Sequence, residues 1–174
     1  MNLSKNTRKA SRGKKHSKIE NLSILGATAR MGPVSLHMYA ADFLSAARAA
    51  APPEVPFAPA RTYLVCRVLE LALKAFLSLK GRSLEQLAGG AFGHDLESLL
   101  AEAERHGLST LVHLEKLQLA EIRRASTYYA EKVFEYPALG EAVFGYPKNP
   151  DTNLLLGAAE ALVAALREPC LDSG

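Results

Sequence analysis

The segment Arg61 to Gly81, RTYLVCRVLELALKAFLSLKG, constrains the rest of the chain more than any other. Wound at 3.6 residues per turn, it puts Tyr63, Arg67, Glu70, Lys74 and Ser78 on one narrow stripe. Leu64, Val65, Val68, Leu69, Leu73, Ala75, Phe76 and Leu79 cover most of the remaining circumference. Pro59 before it and Gly81 after it mark its ends, and its length at 1.5 Å per residue is about 30 Å. A helix with so little polar surface needs apolar partners on several sides, so it is expected at the centre of a helical domain.

Ala and Leu dominate the 174 residues, tryptophan is absent and β-branched runs are scarce, which favours an all-α fold over a sandwich or a doubly wound sheet. The net charge of +3 hides an asymmetry. Lys5, Arg8, Lys9, Arg12, Lys14, Lys15 and Lys18 crowd residues 1–18, which contain no acid, and the body is left mildly acidic. This segment has almost nothing apolar to bury and is expected to be a disordered arm. Its lysines and arginines suit nucleic acid through counterion release, or serve only as a solubilising leader. The expected organisation is the arm at 1–18, a helical bundle at 19–168 and a tail at 169–174. Arg67, Glu70 and Lys74 interrupt the best candidate for a membrane span, and the amino terminus lacks a secretory apolar core, so the cytoplasm is the expected location. Cys66 and Cys170 have no second cysteine or histidine at ligand spacing, which fits a reducing compartment.

Along the chain, Gly32-Pro33 opens a helix expected over Val34 to Ala51, with Met38, Ala41, Leu44, Ala47 and Ala51 as its apolar face. The Pro-rich link Ala51 to Pro59 runs extended into the central helix. Ser83 to Leu87 suggests a helical turn. Asp95 caps a helix reaching about His106, and Ser109 starts another in which Leu111, Leu114, Ile122, Ala125 and Tyr129 share a face. Val133-Phe134-Glu135-Tyr136-Pro137 recurs as Val143-Phe144-Gly145-Tyr146-Pro147, predicting a short irregular or hairpin segment before the last helix. Asn149 is the expected cap of that helix, with Pro150 at its first position, and the helix is expected to stop before Pro169.

Several groups could carry chemistry. Glu70 and Lys74, four apart with the acid first, form a helix ion pair, either solvated or lining a groove. His94-Asp95 invites an acid–base reading, but neighbours in sequence diverge on a helix, and Asp95 has a sufficient role as a cap. Glu102 and His106 share a face, yet no second pair completes a metal site, and neither metal nor cofactor is expected. Arg123, Arg124, Tyr128, Tyr129 and Lys132 form a basic and aromatic cluster that could hold phosphates and stack a base, or simply be a packed tyrosine with solvated arginines.

The run Glu70-Leu71-Ala72-Leu73-Lys74-Ala75-Phe76-Leu77 with Gly81, followed by Gly93-His94-Asp95-Leu96 and Leu99-Leu100, resembles the HEPN superfamily of small prokaryotic helical proteins. The likeness covers Arg61 to Gly107, with a looser match at Tyr128 to Pro137. It implies an up-and-down bundle of four to five helices that dimerises, and a role in host defence, toxin–antitoxin pairs or RNA and nucleotide handling. Catalytic members cleave RNA without metal, using an Arg and a His four to six residues apart on a late helix. Here the run from Arg123 or Arg124 through Glu131 contains no histidine. The resemblance therefore points to a noncatalytic module binding RNA, a nucleotide or a cognate protein, with Arg67, Glu70, Lys74, His94, Asp95, Arg123, Arg124, Tyr128, Tyr129 and Lys132 as candidate binding residues. The alternative is a ribonuclease with a displaced base, for which His94 and Arg124 are the candidates and His37 a further imidazole.

Overall fold

The computed structural model describes residues 32–50, 58–89, 92–136 and 149–173. The basic arm at 1–18, most of the Pro-rich link and the second aromatic repeat lie outside the described residues. Among those described there are six α-helices and one 3-10 turn, and no strand: α1 Pro33–Ala49, α2 Pro59–Leu79, α3 Leu84–Ala88, α4 Leu96–Arg105, the 3-10 turn Leu108–Thr110, α5 Lys116–Ala130 and α6 Thr152–Leu171. They form a helical bundle.

Helix α2 is the centre, packing against α1, α4, α5 and α6. Val65, Cys66, Val68, Leu69, Leu71, Leu73, Phe76 and Leu77 are buried along its length, as its composition requires. Two of the residues on its polar stripe, Glu70 and Lys74, are buried as well. Its end is a Schellman turn. Gly81, at φ +89°, donates its amide to Ser78 O at 3.0 Å, and Arg82 donates to Leu77 O at 3.0 Å. That turn fixes where the Arg82 side chain starts.

Four expectations are corrected. The inner face of α1 is Leu36, His37, Ala40, Leu44 and Ala47, and Met38 is 64% exposed. An Ala-rich helix offers more than one small-residue stripe, and Leu36 selects the one that packs. Helix α5 starts at Lys116, not Ser109, because Glu115 and Gln118 form a capping box there. Leu114 is buried from the non-helical segment before α5 instead. Asp151, not Asn149, caps α6, accepting from Asn153 N at 2.8 Å and Leu154 N at 3.1 Å. Finally, α6 runs through Pro169 to Leu171, since Cys170 is buried and anchors a last turn that forgoes one hydrogen bond.

Polar bridges tie the layers together. Thr62 and Thr152 share a hydroxyl hydrogen bond of 2.7 Å between α2 and α6. Buried His37 donates from Nε2 to Val163 O at 2.8 Å, joining α1 to α6. After α5 the chain turns through Lys132 at φ +60°, and Val133 and Phe134 fold back into the core.

Candidate functional site

Glu70 is the hub of a cluster drawn from α2, α5 and the approach to α4. Its side chain is 1% exposed. Oε1 accepts from Lys74 Nζ at 2.7 Å. Oε2 accepts from Arg67 Nη1 at 2.8 Å, Tyr129 Oη at 2.6 Å and His94 Nδ1 at 3.1 Å. A carboxylate has about four acceptor sites, and four donors meet this one, three of them on Oε2. Lys74 also donates to Gly93 O at 2.8 Å, which holds the backbone preceding His94 against α2.

The ion-pair spacing on α2 and the His94 position, separate features of the sequence, thus meet at one point. Arg67, Glu70, Lys74, His94 and Tyr129 are all in this cluster. His94 packs edge-on to the Tyr129 ring at 5.6 Å and 83°, and Tyr63 lies 5.8 Å from Tyr129 on another side. The Arg67 guanidinium sits 6.0 Å over the Phe43 ring of α1. While Glu70 and Lys74 are buried, the His94 side chain is 53% exposed and that of Arg67 29% exposed, so the cluster opens to solvent through these two.

Burial alone would raise the Glu70 pKa, but hydrogen bonds from Lys74 and Tyr129 and the charges of Lys74 and Arg67 hold it below the usual carboxylate range. The Tyr129 phenol moves the other way. Burial and the neighbouring Glu70 charge both push it up, so it stays a hydrogen-bond donor and cannot act as a base near neutrality. Because a carboxylate only accepts, His94 donates from Nδ1, and its neutral form carries the free lone pair on Nε2.

Asp95 belongs to an adjoining cap. It accepts from Glu97 N at 3.0 Å, Ser98 N at 3.1 Å and Ser98 Oγ at 2.6 Å. Ser126 Oγ of α5 donates to it at 2.9 Å while accepting from Glu97 N at 3.0 Å. No local signal in the sequence marks Ser126 for this part. Burial acts to raise the Asp95 pKa, and these hydrogen bonds, led by Ser98, lower it.

The basic residues of α5 do not assemble as one patch. Arg123 pairs with Glu104 at 3.4 Å and Arg124 with Glu121 at 3.0 Å. Tyr128 is buried and stacks on Phe134 at 5.8 Å, and Lys132 is exposed in the turn beyond. Arg124 and His94 therefore bind different carboxylates, and His37 is committed to α6. Glu102 is a second hub, whose partners Arg105 at i+3 and His106 at i+4 follow from helix spacing while Arg82 does not. It is buried at 3% exposure and binds Arg82, Arg105 and, at 3.2 Å, His106.

Among the described residues, no group of three or more His, Cys, Asp or Glu side chains is arranged to hold a metal ion, and no helix is long and apolar enough to cross a membrane. Cys66 and Cys170 are free and buried. Comparison with protein-family models, curated proteins and solved structures gives no match to this chain.

Proposed function

We propose that this protein is a noncatalytic HEPN-like module that binds an anionic ligand, a nucleotide or nucleic-acid strand, at the open side of the Glu70 cluster. The charge balance carries this reading: Arg67 and Lys74 bring two basic side chains to the single carboxylate of Glu70, with half-exposed His94 beside them. One positive charge is left over at the opening. The Arg67 fork has donors beyond those that Glu70 and Tyr129 engage, which suits a phosphate. Tyr63 offers a ring for a base to stack on. A noncatalytic role is supported by the Glu70 carboxylate, held below the usual range by its donors, and by the protonated Tyr129, neither of which is an effective base near neutrality.

In this reading the protein is a homodimer and works in a defence or toxin–antitoxin setting, with the basic arm adding sequence-indifferent affinity. Titration of labelled RNA and of a nucleoside monophosphate is the test. Arg67→Ala should weaken both, and undiminished binding in that variant would remove the Glu70 cluster as the site. Sedimentation at micromolar concentration checks the dimer.

A second reading has one specific observation in its favour. The Glu70–His94 hydrogen bond fixes the tautomer in which Nε2 is a base, as in carboxylate–histidine pairs of hydrolytic enzymes. A metal-independent RNA endonuclease using His94 would lose cleavage in both His94→Ala and Glu70→Gln. Intact RNA after incubation with the wild-type protein leaves the binding reading alone.

A further inference from the structure

We infer that the Glu102 cluster is a second phosphate subsite, so that the preferred ligand is a single-stranded oligonucleotide lying along α4 and not a mononucleotide. This rests on the anion-binding reading of the Glu70 cluster. Glu102 gathers Arg82 from the turn after α2, and Arg105 and His106 from the end of α4. Two permanent positive charges and an imidazole thus meet one buried carboxylate, the same surplus as at Glu70.

The arginines are exposed, Arg82 by 37% and Arg105 by 72% of the side chain. Among the described residues Glu102 is the carboxylate that each of them binds, and each fork keeps unused N–H donors. Sharing one carboxylate draws two like charges together, and a bound phosphate would relieve that repulsion through bidentate contacts. The negative end of the α4 dipole accounts for Arg105 and His106. It does not account for Arg82, which the Gly81 turn delivers from another segment.

The two clusters sit at opposite ends of one short helix. His94 immediately precedes the Asp95 cap, and Asp95, Ser98, Glu102 and His106 follow at spacings that keep them on one stripe. Helix α4 has ten residues, so its ends are about 15 Å apart. A strand with a phosphate at Arg67 and His94 reaches Arg82 and Arg105 within a few nucleotides. Glu104, beside Arg105, already has its charge matched by Arg123.

The test compares a labelled single-stranded RNA of about twelve nucleotides with uridine monophosphate, each titrated across a range of salt. In Arg82→Gln/Arg105→Gln, uridine monophosphate should bind as to wild type. The strand should bind more weakly, with the slope of log K against log salt shallower by about 0.7 for each phosphate no longer neutralised. The Arg82→Lys/Arg105→Lys protein keeps the charges around Glu102 and should keep the slope. A strand affinity and slope unchanged by the glutamine pair would overturn the inference while leaving the Glu70 site standing. A shallower slope in the lysine pair as well would also overturn it, by assigning the effect to the fold. Failure of wild type to bind either probe would bring down the anion-binding reading and this inference with it.

Discussion

His94 Nδ1 lies 3.1 Å from Glu70 Oε2, a hydrogen bond between residues 24 apart that joins the approach to α4 to the middle of α2. It gives His94 the carboxylate partner that its sequence neighbour Asp95 cannot supply. The same carboxylate neutralises Lys74, so any change at Glu70 acts on the fold and on the imidazole together.

Glu70→Gln should therefore destabilise the protein by about 3–5 kcal/mol, since it leaves Lys74 buried without its counter-charge. Glu70→Gln/Lys74→Met should cost less than the two single substitutions combined. Urea denaturation of the four proteins measures the coupling, and strict additivity would mean that Glu70 and Lys74 do not stabilise one another.

The cluster also predicts opposite responses to acid and alkali. Glu70 has a depressed pKa when folded, so its contribution is present above the unfolded carboxylate value of about 4.3 and is lost as pH falls through the lower folded value. Tyr129 is raised, so its contribution is full below the unfolded phenol value of about 10 and drains away as pH climbs above it. Melting temperatures across pH should show Tyr129→Phe flattening the alkaline limb and leaving the acid limb falling. An alkaline limb identical in the two proteins would contradict the raised phenol.

Two helix ends test the left-handed positions. Lys132 adopts φ +60° after α5, donating to Tyr129 O at 3.1 Å, while Val133 donates to Tyr128 O at 2.9 Å. This is the Schellman geometry that Gly81 supplies after α2. Lys132→Gly should stabilise and Gly81→Ala should destabilise, each by about 1 kcal/mol. Since a Cβ at Gly81 meets nothing within 4 Å, the cost there would be purely conformational. Matching signs in the two thermal melts would refute the assignment.

Asp95→Ala should cost about 1–2 kcal/mol, because it strips the α4 cap and leaves Ser126 without its acceptor. Asp95→Asn, which keeps a capping oxygen, should recover most of that. Equal effects of the two substitutions, measured by chemical denaturation, would mean that charge and not capping is what α4 requires.

Much of this is legible in the residues. The apolar circumference of α2 dictates a central helix, the Glu70–Lys74 spacing dictates their pairing, and Asp95 announces its cap. Which elements complete each hub is not written locally. Nothing nearby in the chain says that Tyr129 reaches Glu70, that Ser126 reaches Asp95 or that Arg82 reaches Glu102, because these contacts depend on how α4 and α5 settle against α2. The α1 face is ambiguous for a related reason. Alanines fit either against a neighbour or toward water, so a periodicity that turns Met38 inward competes with one that Leu36 satisfies better.

Because the Glu70 hub takes donors from α2, from α5 and from the residue just before the α4 cap, neither α5 nor the His94 segment can open alone without withdrawing a donor from a buried carboxylate. Fluctuations that release α5 withdraw the Tyr129 hydroxyl from Glu70, and those that release His94 loosen the backbone that Lys74 grips at Gly93. These helices should consequently share one free energy of opening, with amide protons on α4 and α5 exchanging as a single cooperative unit and not fraying one after the other.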